Sequence, residues 1–184
     1  RDNYEQAMTA LPYIASGVTI NRIEVWVTNK RGNYDEARNV VALTDLGEYD
    51  PSHIQNPQWQ TVGARSPYNK ANSLYATLTQ DNPAVRDIQQ VSSVMQGIAG
   101  MDAGEDYEKI ESARLLKSSE YTLNAALGYI SLKAALNQDE VLAVAYEYTY
   151  AGQVYQVGEF STDAGESLKA PNTLLLQMLK STNN

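Results

Sequence analysis

The residues that could carry catalytic chemistry are few in this chain and stand far apart. His53 is the only histidine, and no G-x-S-x-G nucleophile motif occurs anywhere in the sequence. The chain has no cysteine, which excludes thiolate nucleophiles, disulfides and the usual zinc sites built from several Cys or His ligands. We therefore expect a protein that is not an enzyme and has no catalytic, metal-binding or cofactor-binding residues.

Carboxylates cluster between Asp102 and Glu108, the one place where a cation site is conceivable. The cluster lacks the alternating ligands and central glycine of a calcium-binding EF-hand loop. Basic residues follow it at Arg114 and Lys117, so the charges run in the order that complements a helix dipole. We interpret the acidic residues as the first turn of a helix over Glu105–Lys117.

The length of the chain limits the number of its domains, and its net charge limits its binding partners. The chain has 184 residues, which suits one domain over 1–184, and a formal net charge of −8. Such a charge repels nucleic acid and anionic membranes, and no apolar run is long enough to span a bilayer. We expect no nucleic-acid partner and no direct membrane insertion. The start at Arg1 without methionine and the polar end Ser181–Asn184 lead us to expect a soluble module from a longer polypeptide.

Alternating patterns predict an α+β fold, with a mainly antiparallel β-sheet and two packed helices. The predicted strands are Val18–Asn29, Asn39–Leu46, Gly128–Leu132 and both arms of a hairpin over Val141–Phe160. The first two should pair antiparallel across a turn at Lys30–Glu36. The segment TLLLQMLK after Pro171 fits helix and strand patterns about equally, and we favour a strand. Besides the helix over Glu105–Lys117, a helix should begin at Asn82-Pro83, with apolar residues at helical spacing up to Ile98.

The hairpin is rich in tyrosine and valine, and its turn falls at Ala151-Gly152. A type I′ turn and a type I turn with a bulge at Gly152 are both compatible with these residues, and they differ in register. Three of its tyrosines, Tyr146, Tyr148 and Tyr155, either pack across the strands or form a platform for a ligand.

A long irregular loop over Gly47–Asn72 follows the second strand and is rich in proline and asparagine. Loops of this length are often functional, so we expect it to contact a partner through aromatic anchors at Trp59 and Tyr68. On this interpretation the domain stays folded when Asp50–Lys70 is deleted.

Four stretches of the sequence resemble the SprA family, also called Sov. They are RIEVWVTN (Arg22–Asn29), RNVVALTDLGE (Arg38–Glu48), SEYTLNAALGYISL (Ser119–Leu132) and DEVLAVAYEYTYAGQVYQVGEFS (Asp139–Ser161). The quoted blocks lie between Arg22 and Ser161 and make up about a third of the span from Arg22 to Lys180. Members of this family are very large outer-membrane proteins of gliding and secreting Gram-negative bacteria.

The resemblance implies a role in the outer-membrane channel of type IX protein secretion, which exports folded proteins and supports gliding motility and surface display. This chain would be one structural and interaction module of that channel, located in the cell envelope. Its partners would be other domains of the parent channel and the accessory proteins of that channel. The alternative is a carbohydrate-binding module of a cell-surface protein. In that case Trp26, Trp59 and Tyr68 would be exposed and would bind the sugar.

Overall fold

A computed structural model of the chain describes residues 17–30, 32, 36–61 and 63–183. The strands in these residues are β1 (Val18–Val27), β2 (Ala37–Leu43), β3 (Tyr107–Leu115), β4 (Tyr121–Asn124), β5 (Tyr129–Leu132), β6 (Leu142–Tyr150), β7 (Gln153–Val157) and β8 (Thr173–Lys180). The helices are short: α1 (Leu74–Ala76), α2 (Val91–Gly97) and α3 (Ser161–Ala164). The remaining helical turns are a π-helical turn at Thr77–Asp81 and 3-10 turns at Pro83–Arg86 and Gly165–Leu168.

Five of the strands form a closed barrel in the order β1-β3-β2-β8-β6, and β6 returns to pair with β1. All neighbours in the barrel are antiparallel except β2 and β8, where Asn39–Leu43 runs parallel to Thr173–Gln177. The predicted α+β class with a mainly antiparallel sheet is confirmed. The strand predictions for Val18–Asn29 and the TLLLQMLK segment are also confirmed, with ends within two residues of β1 and β8.

The order of the strands corrects one prediction. β1 and β2 do not form a hairpin, because β3 lies between them and pairs with both. β2 also ends at Leu43 rather than Leu46. Most of the turn predicted at Lys30–Glu36 lies outside the described residues.

The predicted hairpin is formed by β6 and β7, with Tyr150 opposite Gln153. Both turn residues have positive φ, 49° at Ala151 and 77° at Gly152, which is the type I′ geometry and selects the two-residue turn. The predicted strand at Gly128–Leu132 corresponds to β5, which pairs only with β4 in a separate two-stranded sheet.

Both helix predictions need correction. The segment over Glu105–Lys117 is wrong as a helix, since it is the strand β3. The helix predicted from Asn82 is broken: a 3-10 turn ends at Arg86, Asp87 is extended and bridges Asn172, and α2 begins only at Val91. The apolar face predicted for this segment is correct nevertheless, because its buried residues are Val85, Ile88, Val91 and Met95.

The barrel separates three apolar clusters. Residues from all five barrel strands meet in its interior, where Trp26 is surrounded mostly by alanine, valine and leucine side chains and by Phe160. The outer face of β2 and β8 is covered by the Gly47–Asn72 loop and by the helical turns between Leu74 and Gly97, which we call the helical segment. The outer face of β1 and β6 is covered by the β4–β5 hairpin. Alternation along β2 accounts for this layering, because Val40 and Ala42 point inward while Val41 and Leu43 point outward.

Candidate interaction site

Three of the tyrosines selected from the sequence meet on one face of the β6–β7 hairpin. The type I′ turn sets the register that places Tyr148 directly opposite Tyr155. Their rings stack with centroids 5.3 Å apart and planes at 21°. Tyr146, two residues before Tyr148 on β6, has its ring centroid 6.0 Å from that of Tyr148. The period of two along a strand thus brings these side chains together.

Tyr68 extends the set from the loop. Its ring lies edge-on to Tyr155 with centroids 5.9 Å apart. Next to it in the sequence, the Pro67 carbonyl accepts a hydrogen bond of 2.5 Å from the Tyr148 hydroxyl. We call Tyr68, Tyr155, Tyr148 and Tyr146 the aromatic row. Each ring pair contributes about 0.5–1.5 kcal/mol beyond its buried area, so the row fastens the loop to the hairpin.

Burial differs along the aromatic row. Tyr148 is 3% exposed, and its burial raises the pKa of its phenol well above the ordinary value. Burial also raises the pKa of Tyr146, with further contributions from Tyr148 and Glu48. Both phenols therefore stay neutral at physiological pH and act through packing. Tyr68 and Tyr155 are only half-buried and form the accessible end of the row.

Trp59 does not belong to the row, and the structure corrects the prediction that it is an exposed anchor. Its side chain is 5% exposed and packs in the cluster that covers the outer face of β2 and β8. Trp26 is completely buried in the barrel interior. A tryptophan in a loop of polar composition is thus a core residue here, and the loop forms part of the fold.

Buried polar groups fix the path of the Gly47–Asn72 loop. The Asp45 carboxylate is 3% exposed and accepts hydrogen bonds from the backbone N–H groups of Gln55 and Asn56, both at 2.8 Å. Burial raises the pKa of Asp45, and these two N–H groups oppose the rise. The Asn72 side-chain amide donates to the carbonyls of Asp45 and Glu48, each at 2.8 Å. Deleting Asp50–Lys70 would remove Trp59 and both N–H groups that donate to Asp45, so the structure leads us to expect that the deletion unfolds the domain.

A buried ion pair joins the helical segment to the barrel. Arg86 donates to both carboxylate oxygens of Glu159 at 2.6 Å, and the Tyr75 hydroxyl donates to the same carboxylate at 2.7 Å. Glu159 also accepts from the backbone N–H of Leu175 at 2.9 Å, and Arg86 donates to the carbonyl of Thr173 at 3.1 Å. Burial raises the pKa of Tyr75 to about 12, and the Glu159 charge adds to this rise.

The Arg86–Glu159 pair was not predicted from the sequence. A signal was available at Glu159, which is an isolated charge within QVGEFS, whereas Arg86 has Asp87 beside it in AVRDI. A charged residue in such a stretch must find a counter-ion or hydrogen bonds when the stretch is buried. Its chemistry here is structural, because the carboxylate is surrounded by donors from three segments of the fold.

The other residues considered for chemistry are held by local contacts. His53 is exposed in a turn, where its backbone N–H donates to the carbonyl of Asp50 at 3.0 Å. In the acidic cluster, Asp106 accepts from the backbone N–H of Asp102 at 2.9 Å, and Glu108 accepts from that of Thr182 at 3.0 Å. Within the described residues, no group of three or more His, Cys, Asp or Glu side chains is placed to hold a metal ion.

No protein-family model matches the sequence, and no curated protein is significantly similar to it. In the part of the chain that the structure describes, no helix is long and apolar enough to cross a membrane. The four sequence blocks therefore stay the basis of the SprA resemblance.

Proposed function

We propose that this chain is a non-catalytic structural and interaction module of the SprA-like outer-membrane channel of the type IX protein secretion system. It would act in the cell envelope, in contact with other domains of the parent channel and with accessory proteins, and would support protein export and gliding motility. The observation that carries the proposal is the set of four sequence blocks between Arg22 and Ser161.

The positions of the blocks in the fold support a scaffolding role. The block at Arg22–Asn29 forms most of β1, and Arg38–Glu48 forms β2 and the corner that holds Asp45. The block at Asp139–Ser161 forms the whole β6–β7 hairpin and ends at the residues around Glu159. The resembling stretches thus make up three of the five barrel strands and the polar groups that anchor the layers outside them.

Buried carboxylates in the blocks serve the fold itself. Glu24 on β1 is 8% exposed and accepts hydrogen bonds from the Trp26 indole at 3.2 Å and from the Ser161 backbone N–H at 3.0 Å. Asp45 and Glu159 are held in the same way by backbone N–H groups and by Arg86. Each of these carboxylates is engaged by internal donors, which favours a framework over a reaction centre.

The carbohydrate-binding alternative loses its main support. It required Trp26, Trp59 and Tyr68 as exposed stacking surfaces, and both tryptophans are buried. Sugar-binding platforms need an accessible ring face, and of these three residues only Tyr68 is partly accessible. We therefore propose no second function.

The experiment compares two substitutions in the full-length parent protein. Trp59→Ala should destabilise this module strongly, make it sensitive to proteolysis, and reduce export of proteins that carry the C-terminal secretion signal, together with gliding. His53→Ala changes an exposed loop residue and should leave export and gliding at wild-type levels. Normal export in the Trp59→Ala strain, with the parent protein present at wild-type abundance and the module shown to be unfolded by proteolysis, would refute the proposed function.

A further inference from the structure

The outer edge of β7 carries the beginning of an additional hydrogen-bond ladder. β7 pairs with β6 on its inner side only. On its outer side, the backbone N–H of Asn69 donates to the carbonyl of Gln156 at 2.9 Å. The Asn69 side chain also pairs with Gly158 in both directions, donating to its carbonyl at 3.1 Å and accepting from its N–H at 2.7 Å. Asn69 thus stands where the next strand of a sheet would lie, at one end of β7.

The ladder is open at Val154, two residues before Gln156. Backbone groups of alternate residues in an antiparallel strand point to the same side, so the N–H and C=O of Val154 point outward as those of Gln156 do. None of the described residues forms a hydrogen bond with these two groups. The Val154 side chain is 61% exposed, the highest value among the large exposed hydrophobic side chains in the described part of the chain.

This edge lacks the usual protection against strand pairing. Natural proteins place lysine, glutamate or proline on open edges, whereas Gln153–Val157 contains neither a charge nor a proline. Across the whole β6–β7 hairpin, the only charged residue is Glu147. A second copy of the chain is a poor occupant, because each copy has a net charge of −8 and the two would repel each other. A neutral or basic strand meets no such opposition.

We propose that an extended segment of the parent channel polypeptide, neutral or basic in charge, adds as a strand to the outer edge of β7. The proposal rests on the proposed function in one respect, namely that this chain is a module of a larger protein. The added strand bonds to the N–H and C=O of Val154 and continues the line that Asn69 begins. On one face its side chains lie beside Val154, and on the other they reach the accessible Tyr68–Tyr155 end of the aromatic row.

Hydrogen–deuterium exchange at single-residue resolution tests the proposal directly. The Val154 amide should exchange about tenfold more slowly in the full-length parent protein than in this chain alone, because a new hydrogen bond and a covering strand protect it. The Tyr129 amide on the separate β4–β5 hairpin serves as a reference within the same samples. Equal exchange of Val154 in both proteins would overturn the proposal, as would protection in the chain alone that grows with its concentration, which would identify a second copy as the occupant.

A matched pair of variants separates strand addition from general burial. Val154→Lys keeps the backbone N–H but places a charge on the edge, and it should abolish the protection in the parent protein. Val154→Thr keeps a β-branched side chain and should retain it. Retained protection in Val154→Lys would overturn the proposal. Amide exchange at Val154 does not depend on export. The Trp59→Ala test can therefore refute the proposed function while the exchange data support strand addition, and the exchange data can refute strand addition while the Trp59→Ala test supports the proposed function.

Discussion

Replacing Glu159 with glutamine tests how firmly the buried ion pair holds the helical segment on the barrel. The side chains of Glu159 and Arg86 are 11% and 25% exposed, so both charges have lost most of their water. The substitution keeps the shape of Glu159 but leaves the Arg86 guanidinium without its counter-ion. Breaking a fully buried pair from one side costs about 3–5 kcal/mol, and the partial exposure of Arg86 reduces our expectation to about 2–3 kcal/mol.

Urea unfolding followed by circular dichroism measures this cost as a lower midpoint with an unchanged slope. Arg86→Met and the double variant complete a double-mutant cycle, in which the two costs should fail to add by about 1 kcal/mol or more. Val154→Thr is the surface control and should stay within about 0.5 kcal/mol of wild type. A cost below about 0.5 kcal/mol for Glu159→Gln, or strictly additive costs, would refute the role assigned to the pair.

Three further predictions concern single contacts. Trp59→Ala should lower the free energy of unfolding by about 3–5 kcal/mol in the same urea assay. A change near zero would contradict the burial of Trp59 in the core. Gly158→Ala should cost at least about 1 kcal/mol more than Gly152→Ala. Both glycines have positive φ, but a Cβ at Gly158 would lie 3.0 Å from the Ala145 backbone, whereas a Cβ at Gly152 meets open space; similar costs would show that the crowding relaxes. Partial burial raises the pKa of Glu120, but hydrogen bonds from the Lys117 N–H and Arg114 outweigh it, so the pKa is lowered overall. A lowered carboxyl pKa stabilises the fold above the unfolded pKa, about 4.3, and this contribution is lost as the pH falls through the folded value. The stability difference between wild type and Glu120→Gln should therefore shrink between pH 7 and pH 3, and a constant difference would contradict the assignment.

Local alternation was enough to predict the strands that follow a regular period of two. β1 and β6 are such strands, and both were predicted from their alternating patterns. The segment that forms β8 fitted helix and strand patterns about equally. β3 was mistaken for a helix because its charges run in the order that complements a helix dipole, and a bulge removes the period of two that would have indicated a strand. Ser112 has φ of 52°, and the buried residues of β3 are Tyr107, Ile110 and Ala113, which are spaced by three. That spacing is typical of a helix face, so the burial pattern of the bulged strand imitates a helix.

The strand order and the loop needed information that local patterns do not contain. β1 and β2 follow one another in sequence, but β3 separates them in the barrel, and nothing in either strand specifies that insertion. In the candidate site, the pairing of Tyr148 with Tyr155 depended on the turn type, which the Ala-Gly pair left open. The polar composition of Gly47–Asn72 correctly indicated irregular structure, but it gave no sign that Trp59 enters the core or that Asp45 holds the loop from inside.

The place of β8 in the barrel has a consequence for how the chain matures. β8 lies between β2 and β6, and it pairs with both although it follows them in synthesis. A nascent chain that has not yet released Thr173–Lys180 must therefore hold two unfinished edges and an open apolar interior. Pairings between such distant segments make folding slow. During that interval the unpaired strand edges and the exposed apolar interior favour aggregation, so completion of the barrel by β8 also protects the chain from association with other copies.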